Sequence, residues 1–192
     1  MLTLGTRVKQ ATTVLAMLFL VACTETPETV SRAPEPLGDF KLGFVTVFAD
    51  NVERGPLSRE ASTEELEINL KAEMERKFTQ YSGSKFYNLA ISVETYILAV
   101  PGIPLVASPK SALVLSLNVW DDAKGVRISE EHKQFTVLEK ISGETFLLGS
   151  GLTQSKEQQL AGLTNSAVIQ IEKWLQENKS MFETSAAETT DG

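Results

Sequence analysis

Two side chains of this sequence stand out because they could do chemistry and because each residue type occurs once: Cys23 and His132. A thiol can act as a nucleophile, a metal ligand or an attachment point, and an imidazole can move a proton or bind a metal. A single Cys excludes an internal disulfide, and a single His excludes a two-His zinc or iron site. We therefore predict no metal site and no cofactor.

Cys23 follows a segment that has the layout of a secretory signal. Residues 1–22 contain Arg7 and Lys9, no acidic residue, and then an apolar stretch from Ala11 to Ala22. This stretch is too short for a membrane-spanning helix, which needs about 20 apolar residues. We predict that 1–22 is a signal peptide and is removed.

The residues Leu20-Val21-Ala22-Cys23 resemble the lipobox of bacterial lipoproteins. The resemblance implies that Cys23 becomes the first mature residue, with a diacylglycerol on its sulfur and usually a third acyl chain, or palmitate, on its amine. Two or more acyl chains hold a protein stably at a membrane. Because Thr24 is not Asp, the chain resembles lipoproteins sorted to the periplasmic side of the outer membrane, and the inner membrane is the less favoured site. The alternative is an incidental Cys after an ordinary signal peptide.

The charge of the chain restricts its partners. The full sequence has a formal net charge of −7, and removal of 1–22 leaves 16 basic and 25 acidic residues, a balance of −9. Such a balance argues against a nucleic-acid partner and gives no overall attraction to anionic lipid headgroups. The acyl chains on Cys23 are therefore the expected link to the membrane.

His132 is the one residue that could complete a Ser-His-Asp site. It lies in Glu130-Glu131-His132-Lys133, four consecutive ionisable residues that are typical of a solvated strand face or hairpin end. A surface-tethered hydrolase that uses His132 is the enzymatic alternative. We predict no catalytic residue and no enzyme activity.

The segment 99–109 is unusually apolar for a connection between strands. It contains three Pro, which prevent a regular strand ladder, together with Val100, Ile103, Leu105 and Val106. Such a loop either covers the end of the sheet or presents an apolar tip to a partner. The candidate contact residues are Pro101, Gly102, Ile103, Pro104 and Leu105.

The elements that would position these residues follow from hydrophobic periodicity. Alternating apolar residues predict strands over 40–48, 86–100 and 112–120, and turn residues at 121–125 predict a hairpin that returns over 126–138. Two capping boxes, at Ser62 and Ser155, predict the starts of two amphipathic helices. We expect Leu70, Met74, Leu163 and Ile171 to be buried against the sheet.

The element order predicts an α+β fold. The order β-α-β-β-β-α, with one apolar stripe on each helix, predicts a two-layer sandwich: a mainly antiparallel sheet of about four strands with two helices on one face. The predicted organisation is a signal peptide (1–22), a Pro-rich flexible tether (23–38), the α+β domain (39–179) and a disordered tail (180–192).

This plan, behind a lipobox and a tether, resembles the small envelope lipoproteins of the LPS-assembly and ABC-transport auxiliary type, and also uncharacterised lipoprotein families of the same plan. The resemblance implies a non-catalytic, lipid-anchored periplasmic protein that binds or supports an envelope protein complex. A purely structural lipoprotein is a further alternative.

Overall fold

The long elements that the sequence predicts are present in the computed structural model, which describes residues 34–100, 110–129, 132–139 and 154–183. The predicted α+β class and the order β-α-β-β-β-α are confirmed. The elements are β1 (Phe40–Phe48), β2 (Glu53–Arg54), α1 (Thr63–Phe78), β3 (Lys85–Ile97), β4 (Ala112–Asp121), β5 (Val126–Arg127), β6 (Lys133–Leu138), α2 (Lys156–Glu177) and a short 3-10 helix (Lys179–Phe182).

The sheet is mixed. β3 and β4 form its antiparallel centre, and β5 and β6 both pair antiparallel with β4. β1 and β2 pair parallel with β3, so α1 is the crossover of a β1-α1-β3 unit. The two very short strands extend the outer edges, and the four long strands correspond to those that the sequence predicts.

Both helices pack on one face of this sheet and run in the same direction. Each begins with the predicted capping box, in which Ser62 bonds reciprocally with Glu65 in α1, and Ser155 with Gln158 in α2. The helices contact each other, and α1 contacts β1 while α2 contacts β4 and β6. We call the other face of the sheet the open face.

The core lies between the helices and the sheet. Leu70, Met74, Leu163 and Ile171 are at most 1% exposed, which confirms their predicted burial. On β4 the residues that face the core are Leu113, Leu115, Leu117 and Val119, and Ser116 among them is buried on the open face.

The two ends of the sheet are distinct, and we name them by what the chain does there. At the entry end β1 and β3 begin, β4 ends, and both helices terminate. At the loop end β3 ends at Ile97, β4 begins at Ala112, and both helices start. β3 has 13 residues and therefore spans about 43 Å from one end to the other.

The entry end is closed by a cluster of aromatic rings. Phe40 stacks on Tyr87 with ring centroids 5.7 Å apart, and Phe182 meets both rings edge-on at 5.0 and 4.8 Å. Phe78 and Tyr81 complete the cluster. Such pairs add about 0.5–1.5 kcal/mol each beyond the burial of their area.

Two buried residues lie outside the predicted domain range 39–179. Leu37, inside the predicted tether, and Phe182, inside the predicted tail, are both at most 1% exposed and belong to the hydrophobic core. Both lie outside the elements that hydrophobic periodicity predicts, so no local pattern marks them as buried.

Candidate partner-contact site at the loop end

The loop end holds the two chain segments that flank the predicted contact loop. Ala99 and Ser111 are buried, and the Ala99 backbone N–H donates to Ser111 Oγ at 3.2 Å. The Glu139 backbone N–H donates to the Ser111 carbonyl at 2.9 Å, which ties β6 to the same point. The described chain segments on either side of 101–109 are therefore joined at the loop end.

The first turns of α2 hold this base from the helix side. The Gln159 amide, which is 1% exposed, donates from Nε2 to the Ala99 carbonyl oxygen at 3.3 Å. Its position is set by the capping box at Ser155, which fixes where α2 begins. A buried side-chain amide that bonds to a loop carbonyl locks that backbone, because leaving either group unpaired costs free energy.

The segment between β2 and α1 holds the base from the other side. Ser58 Oγ accepts a hydrogen bond from the Leu98 N–H at 2.8 Å, and the Arg59 N–H donates to the Leu98 carbonyl at 2.8 Å. Arg59 Nη1 also reaches the Gln154 carbonyl at 3.2 Å, just before α2. Three separate parts of the chain thus converge on the end of β3.

Leu57, the residue before Ser58, has an unusual backbone conformation. Its φ is 52°, in the left-handed region that side chains with a Cβ rarely adopt, and its side chain is 59% exposed. Backbone strain of this kind costs on the order of 1–3 kcal/mol and persists where the surroundings enforce it. No periodicity or motif in the sequence marks Leu57 as a contact residue. The only local feature that indicates a turn there is the preceding Gly55-Pro56.

Two further contacts connect the starts of the helices to this end. The Tyr96 hydroxyl accepts from the Ala61 N–H and donates to the Ala61 carbonyl, both at 3.1 Å. Lys156 Nζ lies 2.6 Å from Glu65 Oε1 and joins the first turns of α2 and α1. The hydrogen bond from Lys156 holds the pKa of the Glu65 carboxyl below its ordinary value and raises the pKa of the lysine.

The remaining predicted sites have different outcomes. Cys23 and the contact residues lie outside the described residues; the latter are Pro101, Gly102, Ile103, Pro104 and Leu105. His132 is described and exposed, at the residue before β6 begins. It lies on the sheet layer, away from the residues that hold the loop base.

The described residues form neither a metal-binding cluster nor a membrane-crossing helix. Within 34–100, 110–129, 132–139 and 154–183, His, Cys, Asp and Glu form no group of three that could hold a metal ion. No helix in the described part of the chain has the length and apolar character needed to cross a membrane.

Comparison with known proteins finds similarity at the level of structure alone. No family model and no curated protein matches the sequence. A DUF330 protein of Xanthomonas campestris is similar at 15% identity and a TM-score of 0.39, over 73% of this chain and 88% of that one. A minor lipoprotein of Acinetobacter baumannii is similar at 18% identity and 0.31, over 70% and 94%. The PelC dodecamer of Paraburkholderia phytofirmans gives 14% identity and 0.32, over 68% and 93%. These values assign neither a family nor an activity to the chain.

Proposed function

We propose that this chain is a non-catalytic lipoprotein of the bacterial envelope that is anchored through acyl chains on Cys23 and binds a partner of an envelope protein complex. The proposed location is the periplasmic side of the outer membrane. Support for the anchor comes from the lipobox at 20–23 and the signal-like segment before it. The exposed position of His132 favours this proposal over a hydrolase.

The partner-binding part of this proposal rests on the distance between the two ends of the domain. The chain enters β1 at the entry end, about 43 Å along β3 from Ile97 at the loop end. The described residues that flank 101–109, Val100 and Lys110, therefore lie at the end of the sheet opposite the chain entry. We infer that the apolar residues Ile103 and Leu105 meet a protein partner at this end.

Leu57 supports the same contact site from within the described residues. A leucine that is held in a strained backbone conformation while its side chain stays in water gains nothing for folding. Contact with a partner at the loop end would bury this side chain.

The anchor is tested with Cys23→Ser. We expect this variant to incorporate no labelled palmitate and to leave the membrane fraction, because the acyl chains attach at the sulfur. Labelling equal to that of the unchanged chain would contradict the anchor and the location that depends on it.

The contact site is tested by crosslinking in intact cells. We expect Leu57→Asn to keep or raise the unfolding midpoint, since Asn tolerates a positive φ, while lowering the yield of the crosslinked partner. The double variant Ile103→Ser with Leu105→Ser is expected to lower that yield further. Ile169→Ser, on an exposed face of α2, is the matched control. Unchanged crosslinking in both loop-end variants would contradict the proposed site.

A further inference from the structure

A group of exposed aromatic side chains lies on the open face at the entry end. Trp120 is 40% exposed and Phe86 is 45% exposed, although both belong to long paired strands. Their strand neighbours Val119 and Tyr87 point into the core, so alternation places both rings on the open face. Neither ring contributes to the packed layer between sheet and helices.

Strand register brings these rings together around Asn88. Trp120 is the register partner of Asn88, and Phe86 precedes Asn88 by two residues on β3. Phe86 and Trp120 are therefore diagonal neighbours, a relationship that places the Cα atoms of two residues about 7–8 Å apart. The backbone N–H of Phe44, whose side chain is 55% exposed, donates to Asn88 Oδ1 at 3.1 Å. Three exposed aromatic residues thus surround one buried amide.

Two cationic residues flank the rings. Lys41 Nζ lies 4.7 Å from the centroid of the Phe86 ring, and Arg127 is the register partner of Trp120. The acidic residues nearby are engaged in hydrogen bonds: Asp122 Oδ1 accepts from Asn88, and Asp39 accepts from the Ser84 backbone and hydroxyl. We call Lys41, Phe44, Phe86, Trp120 and Arg127 the aromatic patch.

The position of the aromatic patch relative to the N-terminal segment limits what can meet it. The patch lies at the end where β1 begins, and Pro34, the first described residue, is 11 residues after Cys23. Eleven extended residues reach at most about 40 Å. If Cys23 is acylated, as proposed above, Pro34 stays within this distance of the bilayer, so the entry end can reach the bilayer surface.

The chemistry of the aromatic patch matches the surface of a bilayer. Tryptophan and other aromatic rings are enriched at the level of lipid headgroups, where one side of the ring is apolar and the other is wet. Lysine and arginine extend beside them towards lipid phosphates. The overall charge of the mature chain is unfavourable near anionic lipid, so a contact must be made by a local cationic surface.

We propose that the aromatic patch rests on the phospholipid headgroup layer of the membrane that holds the acyl anchor. Phe44, Phe86 and Trp120 enter the interfacial region, and Lys41 and Arg127 lie beside lipid phosphates. This contact fixes the orientation of the domain on the membrane, which a flexible acyl tether alone does not do. The inference rests on the proposed acylation of Cys23 and extends it.

The test uses the full lipidated chain in vesicles of phosphatidylcholine and phosphatidylglycerol that carry bromine on their acyl chains. The chain has two tryptophans, so Trp174→Phe leaves Trp120 as the sole source of tryptophan fluorescence. We expect loss of Trp120 emission in brominated vesicles relative to unbrominated ones. Trp120→Phe is the matched control, because Trp174 packs against Phe135 on the other face and is expected to be quenched far less.

The charge contribution is tested in the same vesicles. Lys41→Glu with Arg127→Glu is expected to restore most of the Trp120 emission. If Trp174→Phe does not fold, the difference in quenching between the unchanged chain and Trp120→Phe isolates the same signal.

The outcomes separate this inference from the proposed function. If the chain floats with the vesicles but Trp120 is neither quenched by bromine nor shielded from acrylamide, the inference is overturned and the anchor stands. If the chain does not float with the vesicles, the anchor is overturned and the inference falls with it. If Trp120 is equally shielded from acrylamide in detergent, and sedimentation shows that two copies of the chain associate there, the patch is a contact between copies. That result overturns the inference.

Discussion

The two ends of the domain are held by different kinds of interaction. The entry end is closed by five aromatic rings that include residues from near both ends of the described chain, Phe40 and Phe182. The loop end is held by hydrogen bonds that join side chains to the backbone: Ser58 and Ser111 accept from N–H groups, and Gln159 donates to a carbonyl. Apolar burial is strong and non-directional, whereas hydrogen bonds add little net free energy but fix positions. The difference indicates that the aromatic cluster at the entry end contributes more to the free energy of folding, whereas the hydrogen bonds at the loop end fix the positions of the backbone there.

The largest expected effect is at the entry end. Phe40→Ala should lower the free energy of unfolding by about 3–5 kcal/mol, because it removes a fully buried ring that contacts four others. Urea denaturation measures this change. Phe44→Ala, the same substitution on the same strand at an exposed position, should change stability by less than about 0.5 kcal/mol. Equal losses in the two variants would contradict the assignment of stability to the aromatic cluster.

An intermediate effect is expected at the loop end. Tyr96→Phe leaves the Ala61 N–H and carbonyl without their buried partner and should cost about 1–3 kcal/mol. Tyr81→Phe is the matched change at the entry end. It should cost less, because Glu172, which accepts from the Tyr81 hydroxyl, keeps its ion pair with Lys77 at 2.8 Å. A larger loss for Tyr81→Phe would show that polar contacts matter more at the entry end.

The smallest expected effect concerns the ion pair between the helix starts. The pKa of Glu65 is lowered in the folded chain, so its contribution to stability is present above the ordinary value of 4.5 and is lost as pH falls below it. Glu65→Gln keeps an acceptor for the capping box but loses the charge that pairs with Lys156. We expect a slightly lower unfolding midpoint than that of the unchanged chain at pH 7, and a difference that shrinks as the pH falls below 4.5. A difference that does not change with pH would assign the effect to the cap instead.

Much of the fold could be predicted from the sequence because its signals are local. Alternation located β1 and β4, and the boxes at Ser62 and Ser155 located the helix starts, since each pattern depends on residues a few positions apart. The parallel pairing of β1 with β3 was not predicted, because it joins residues about 45 positions apart and leaves no local signal.

The bulge in β1 shows how a local pattern can mislead. Strict alternation along 40–48 would place Phe44 on the same face as Phe40, but the bulge between Leu42 and Val45 inserts an extra residue and changes the phase. Phe44 is therefore exposed, while Val45 and Val47 join Phe40 in the core. Gly43 allows the close approach of Asn88 at the bulge, because a Cβ at this position would lie 2.2 Å from Asn88 Oδ1.

Only one segment of the candidate site was proposed from the sequence, because contacts between distant residues leave no local signal. Composition singled out the loop 101–105, but the residues that hold its base come from β2–α1, β4 and α2 and converge only in the folded chain. The aromatic patch was not predicted, since Phe86 and Trp120 meet through register.

The parallel pairing of β1 and β3 has a mechanical consequence. If the domain is tethered through residues before β1 and pulled by a partner at the end of β3, the two strands are loaded lengthwise in opposite directions. The hydrogen bonds between them are evenly spaced along the strands and therefore share the load at once, instead of opening one after another. Under such a load, the chain connectivity would place the pairing of β1 and β3 in shear.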